Sequence, residues 1–169
     1  PSPAGVPPAS AASPADNTGG PTTTSRVALL NDVGVESRED SDRIVFAFGD
    51  EGTPGWVVRY TDPPIIEEPT GEVVDVDGSA LLSIRLEPAS GSDLSGEGSN
   101  PTYTGPGRLP GQGGPVIEVA EVGDFEGVLT WVAGLDGYRT FSVSALTDPA
   151  RLVVDIEAVG QVLFNLVDN

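Results

Sequence analysis

The side chains available for chemistry are few in kind. This chain of 169 residues contains no His and no Cys, and all eight of its basic residues are Arg. Imidazole bases, thiolate nucleophiles and zinc sites built from His and Cys are excluded. What remains is 26 acidic side chains, hydroxyls, three Tyr and the Arg residues. A hydrolase could be built from two carboxylates, one protonated and one ionised. No acid lies in an aromatic or apolar run that would raise its pKa, as a general acid requires. The chain is therefore read as a non-enzyme.

Calcium would draw on the same carboxylates. Val74-Asp75-Val76-Asp77-Gly78 offers an Asp-x-Asp-Gly string, and Asp40 and Asp42 share its spacing. Calcium needs about six to eight oxygens, so two carboxylates fall short. The third ligand and the distal Glu of an EF-hand loop are missing. No metal and no cofactor is expected.

Ligand binding without catalysis needs exposed aromatics beside a few polar groups. Trp56, Arg59 and Tyr60 lie in one short run, and Tyr103 and Arg108 lie in a long irregular stretch. On a strand, Trp56 and Tyr60 share a face opposite Arg59. Packing at the core edge is the competing reading for both aromatics, whereas Trp131 alternates with Leu129 and Ala133 and is read as core. With Arg139 added, the expected site is where residues 89–115 meet Trp56, Arg59 and Arg139.

The elements that must position these residues are short. Gly (22) and Pro (16) are spread along the chain, and no sustained helical period appears. Val-, Ile- and Leu-rich runs bounded by Gly, Pro, Asp and Ser predict an all-β domain. Strands are expected at Val27–Leu30 leading into Val33–Ser37, then Arg43–Phe48, Trp56–Tyr60, Val73–Val76 and Ala80–Leu86. After the irregular stretch they resume at Val116–Val122, Gly127–Ala133, Arg139–Leu146 and Arg151–Ile156. Asp77-Gly78 and Asp136-Gly137 are read as hairpin turns, because Asp-Gly supplies positive φ. Val159–Val167 is apolar enough for a last strand or a short docked helix. Eight or nine strands with short connections fit a β-sandwich of antiparallel sheets.

Residues 1–25 contain almost only Pro, Ala, Ser, Thr and Gly, with Asp16 as their one charge. Such a segment buries too little apolar surface to offset its ordering entropy and is expected to be a disordered tether to a domain spanning 26–169. The start at Pro1 is read as a mature or trimmed form. Net charge is −18, which argues against nucleic acid and against docking on an anionic membrane through basic residues.

Two runs repeat one pattern. Ser41-Asp42-Arg43-Ile44-Val45-Phe46-Ala47-Phe48 and Asp148-Pro149-Ala150-Arg151-Leu152-Val153-Val154-Asp155-Ile156 each place an Arg before alternating apolar residues. Alternation puts Ile44, Phe46, Phe48, Leu152, Val154 and Ile156 into one core, and Arg43 and Arg151 are expected to pair with carboxylates or carbonyls. These runs resemble the opening and closing strands of AMIN domains. With Gly52–Tyr60, Phe125-Glu126-Gly127 and Gly134–Phe141, the chain is similar to the AMIN-like domain of actinobacterial lipoproteins over about Val27 to Glu157. The resemblance implies a sandwich in the cell envelope, held by a lipid anchor on a Cys upstream of Pro1. It implies binding of cell-wall glycan such as peptidoglycan, or of an envelope protein, and supplies no catalytic residues. The rival expectation is an assembly protein that recruits an envelope partner through an exposed sheet edge.

Overall fold

The computed structural model describes residues 15–20, 26–50 and 52–158. These form strands without a helix. In chain order they are β1 (Asn17–Gly19), β2 (Ala28–Ser37), β3 (Ser41–Phe48), β4 (Gly55–Thr61), β5 (Ile65–Ile66), β6 (Val73–Val74), β7 (Ala80–Glu87) and β8 (Ala89–Ser90). Then follow β9 (Ser92–Asp93), β10 (Asn100–Pro101), β11 (Arg108–Pro110), β12 (Val116–Phe125), β13 (Val128–Leu135), β14 (Phe141–Leu146) and β15 (Arg151–Glu157). One sheet runs β1-β4-β7-β13-β12-β11, and the other runs β14-β15-β3-β2-β8. All of these contacts are antiparallel except β2–β8.

The all-β sandwich expected from the sequence is what folds. In β3, Asp42, Ile44, Phe46 and Phe48 are buried and the residues between them are half-buried. β15 pairs beside it with Leu152 opposite Phe46 and Val154 opposite Ile44. The facing sheet contributes Leu82, Ile84, Leu86, Leu129 and Trp131, all fully buried. Phe46 meets Trp131 edge-on, with ring centroids 6.0 Å apart. Burying each such side chain contributes about 1.5–3 kcal/mol. Both Arg residues of the repeated pattern have the expected partners. Arg43 Nε donates to Asp155 at 3.0 Å, and Arg151 Nε donates to the Pro149 carbonyl at 3.1 Å.

Asp42 ties the two layers together. It is 1% exposed, yet it carries a carboxylate. Its oxygens accept from Ser37 Oγ at 2.6 Å and from the Val116 backbone N–H at 2.9 Å. Ser37 is its cross-strand partner in one sheet, while Val116 begins β12 in the other. Burying a carboxylate is tolerated only with such donors. Gly114 lies against the same carboxylate, where an added Cβ would collide with both oxygens.

Two expected hairpins are corrected. Val73–Val74 does not pair with β7 across Asp77-Gly78; it folds back onto β5 as a two-stranded ribbon. β7 is buried along most of its length and takes long partners on both sides, β4 and β13. Gly78 does adopt positive φ (150°), but its Cα lies against the Gly134 backbone, where a Cβ would clash. Likewise Asp136-Gly137 joins the two sheets: β13 pairs within the first and β14 pairs with β15 in the second. An Asp-Gly pair marks a turn, but the apolar faces on either side decide which strands meet.

The remaining differences are additions. The expected strands 27–30 and 33–37 are one strand, β2, with a register shift between Leu30 and Asp32. Residues 89–115 contain β8 to β11 and are pinned by Asp124, which accepts from the Gly91 N–H at 2.9 Å and Ser90 Oγ at 3.2 Å. Most of the tether expected over 1–25, and the tail 159–167, lie outside the described residues. Within 15–20, however, residues 17–19 are already strand β1, pairing Gly19 with Trp56 and Asn17 with Val58.

The Asp42→Ala variant is expected to lose roughly 2–3 kcal/mol, because it leaves the buried Val116 N–H unpaired. Urea unfolding should register a lower midpoint at unchanged slope. A loss below about 0.5 kcal/mol would remove this carboxylate as the tie between the sheets.

Candidate functional site

The outer face of the six-stranded sheet is where polar side chains gather. On β7 the inward residues are Leu82, Ile84 and Leu86, so Ser83, Arg85 and Glu87 point outward. Cross-strand pairing sets Arg59 beside Ser83, and Thr130 beside Arg85. Part of this face is closed off by the β5–β6 ribbon. Ile65 packs there with Leu81, Val122 and Val132 in a second small core, and Val74 and Val76 add to it. The ribbon is held by a bridge from Glu68 to Gly123. It is held again by Arg108, which donates to the Asp75 carbonyl at 2.6 Å and to Glu118 at 2.8 Å.

Beside the ribbon, the uncovered face forms a groove of about 510 Å³. Arg59, Ser83, Arg85 and Thr130 line it with Ile66 and Phe125, and four acids, Glu68, Glu87, Asp124 and Glu126, share the lining. Phe125 is 41% exposed, a large apolar surface to leave at a rim. Arg85 is paired with Glu87 at 3.1 Å. The exposed guanidinium of Arg59 makes no hydrogen bond or ion pair among the described residues. In a chain of net charge −18, a guanidinium that meets neither a carboxylate nor, as Arg151 does, a backbone carbonyl stands apart.

The other residues singled out in the sequence are placed elsewhere and are bound within the fold. Trp56 turns inward; its indole N–H donates to Asn17 Oδ1 at 3.0 Å, and its ring covers Gly19, where a side chain would collide with it. Tyr60 and Arg139 are brought together. The Tyr60 hydroxyl accepts from the Arg139 N–H at 2.8 Å and donates to the Arg139 carbonyl. Burial pushes the Tyr60 hydroxyl above the ordinary tyrosine range. The Arg139 guanidinium pairs with Asp136 and donates to the Ala158 carbonyl. Tyr103 sits edge-on to Trp131 at 5.7 Å, and its hydroxyl donates to the Pro106 carbonyl at 2.6 Å. Arg108 clamps the ribbon. Of the six, Arg59 is the one that lines the groove.

Sequence reasoning passed over Ser83, Arg85, Thr130 and Phe125. The signal for the first two was present, since Ser-Ile-Arg-Leu-Glu alternates polar and apolar residues. Clefts open elsewhere too. One of about 430 Å³ lies among Val27, Leu29 and Leu94. Another, of about 700 Å³, lies beside the ribbon by Asp62, Asp75, Asp77 and Tyr138. Among the described residues, no group of three acids is placed to hold a metal ion.

One carboxyl is electrostatically strained. Glu121 is pushed above the usual glutamate range by burial first, and then by the negative charges of Asp124 and Glu67. A carboxyl whose folded pKa is raised favours the fold below its unfolded pKa, and that contribution is lost as pH rises through the folded value.

The family model described as the AMIN-like domain matches residues 28–158. No curated protein and no solved structure matches the chain.

Glu121→Gln should raise the melting temperature at pH 7, with the gain shrinking as pH falls toward about 4.3, the unfolded glutamate value. Thermal melts across that range check it, and a variant less stable at pH 7 would contradict the sign.

Proposed function

The chain belongs to the AMIN-like domain family, and from that premise we propose that it is an envelope-associated module that binds cell-wall glycan in the groove of its six-stranded sheet. Family membership supports an extracytoplasmic position and a non-catalytic binding role, which is general among AMIN-like domains. In the full-length protein a lipid anchor upstream of Pro1 would hold the module at the membrane.

Arg59 is the observation that carries the choice of groove. A guanidinium already paired with a carboxylate gives little to a ligand, whereas this one has its donors free and faces an open groove. Its planar fork can clamp a ligand carboxylate with two parallel hydrogen bonds, or bridge neighbouring hydroxyls. Ser83 and Thr130 add hydroxyl donors and acceptors on the same face, and Phe125 offers an apolar ring to the C–H face of a sugar. A long polymer of hydroxylated rings with occasional carboxylates matches this combination. A purely apolar ligand would leave Arg59 desolvated without compensation. Docking of the chain's many acids against other anionic surfaces is opposed by charge, so the contact must be made locally.

Co-sedimentation with purified peptidoglycan tests the reading. The native chain should be retained, and Arg59→Ala and Phe125→Ala should each weaken retention by about tenfold while melting like the native chain. Failure of the native chain to co-sediment sinks the proposal; equal retention of both variants sinks the groove.

A further inference from the structure

Four strands end the two sheets, and three of them are blunted. β1 has three residues, β8 has two, and β11 has three and closes with Pro110. Short edges and edge prolines are the usual means of preventing a sheet from recruiting another strand. The fourth, β14, carries none of these devices. Its six residues, Phe-Ser-Val-Ser-Ala-Leu, include no charge and no Pro. Its register with β15 runs from Phe141–Ile156 to Leu146–Arg151 without a shift, so no bulge twists it away. Among the described residues nothing pairs with its other side. Ser144, Ala145 and Leu146 are exposed.

The surroundings of this edge favour one kind of partner. Beside Ser142, on the outer face of the sheet, a hollow of about 540 Å³ is lined by Glu39, Asp40, Glu157, Arg43 and Asp155, with Arg38 at its side held by Glu36 at 3.4 Å. Arg43 and Asp155 neutralise each other. The carboxylates of Glu39, Asp40 and Glu157 take part in no ion pair among the described residues. A second copy of this chain would bring its own net charge of −18 to the contact and be repelled.

We propose that the free edge of β14 is a strand-addition site for an extended, basic segment of a partner protein. Backbone hydrogen bonds to β14 hold the segment, and a Lys or Arg on its outward face reaches the three unpaired carboxylates beside Ser142. The site lies on the five-stranded sheet and does not depend on the groove of the other sheet.

The test titrates an acetylated, amidated hexapeptide of alternating Val and Lys into the full chain, with backbone amides read by NMR. The expected result is shifted and slowly exchanging amides in 141–146, with affinity falling as salt rises from about 0.05 to about 0.5 M. N-methylating one alternate set of peptide amides should abolish binding and the other set should not, because an added strand offers every second N–H to the ladder. Asp40→Asn together with Glu157→Gln should weaken binding about fivefold. The proposal is overturned if β14 amides do not move at about 1 mM peptide. It is equally overturned if both N-methylated peptides bind alike, or if the outward amides of β14 are already protected in the free chain. A homodimer that protects β14 would also overturn it.

Discussion

A buried acid decides how the two sheets are stacked. Asp42 cannot be buried in the core without donors for its oxygens, and the donors it has come from both layers: Ser37 beside it and the Val116 N–H opposite. Much follows from that pair. It fixes where β12 begins, and therefore the register of β12 against β13. It also holds Pro115, whose carbonyl accepts from the Asp136 N–H at the crossover between the sheets. Asp136 in turn orients Arg139, which is linked to Tyr60. One end of the sandwich is thus a chain of polar contacts, while the middle is held by Phe46, Trp131 and their aliphatic neighbours. Polar contacts of this kind specify one arrangement, whereas the apolar core would tolerate several.

The sandwich was legible because burial on one face of a strand writes a period of two into the chain. Arg43 to Phe48 and Arg151 to Ile156 carry that period plainly, and the two runs turn out to be neighbours, with Phe46 opposite Leu152. Pairing was less legible. Val73 and Val74 look like half of a hairpin with Ala80 onward, yet they serve as a ribbon over Val122 and Val132. Strand-like composition says that a segment is extended and says little about which distant strand it will meet. β1 was hidden for a similar reason. Asn-Thr-Gly has no strand propensity, and its place is set by Trp56, whose ring needs the bare backbone of Gly19 beneath it.

The groove was half legible. Arg59 was singled out for its neighbours Trp56 and Tyr60, but those two point the other way and are bound by Asn17 and Arg139. Its real companions come from strands far along the chain, Ser83 and Arg85 on β7 and Thr130 on β13. Position along one strand tells which face a residue occupies; only the sheet order tells which residues share that face with it. The scarcity of basic residues explains why Arg59 matters. Arg43, Arg85, Arg108 and Arg139 are each taken up by a carboxylate of the fold.

The strap made by Asn17–Gly19 has a mechanical side. It is the first described strand of the chain and it lies at the rim of the six-stranded sheet, against β4. Tension arriving from before Asn17 therefore loads three cross-strand pairs and the Trp56–Asn17 hydrogen bond before it reaches β2. By register alone the strap, with three pairs to β4, is the weaker attachment beside β2, which has seven to β3.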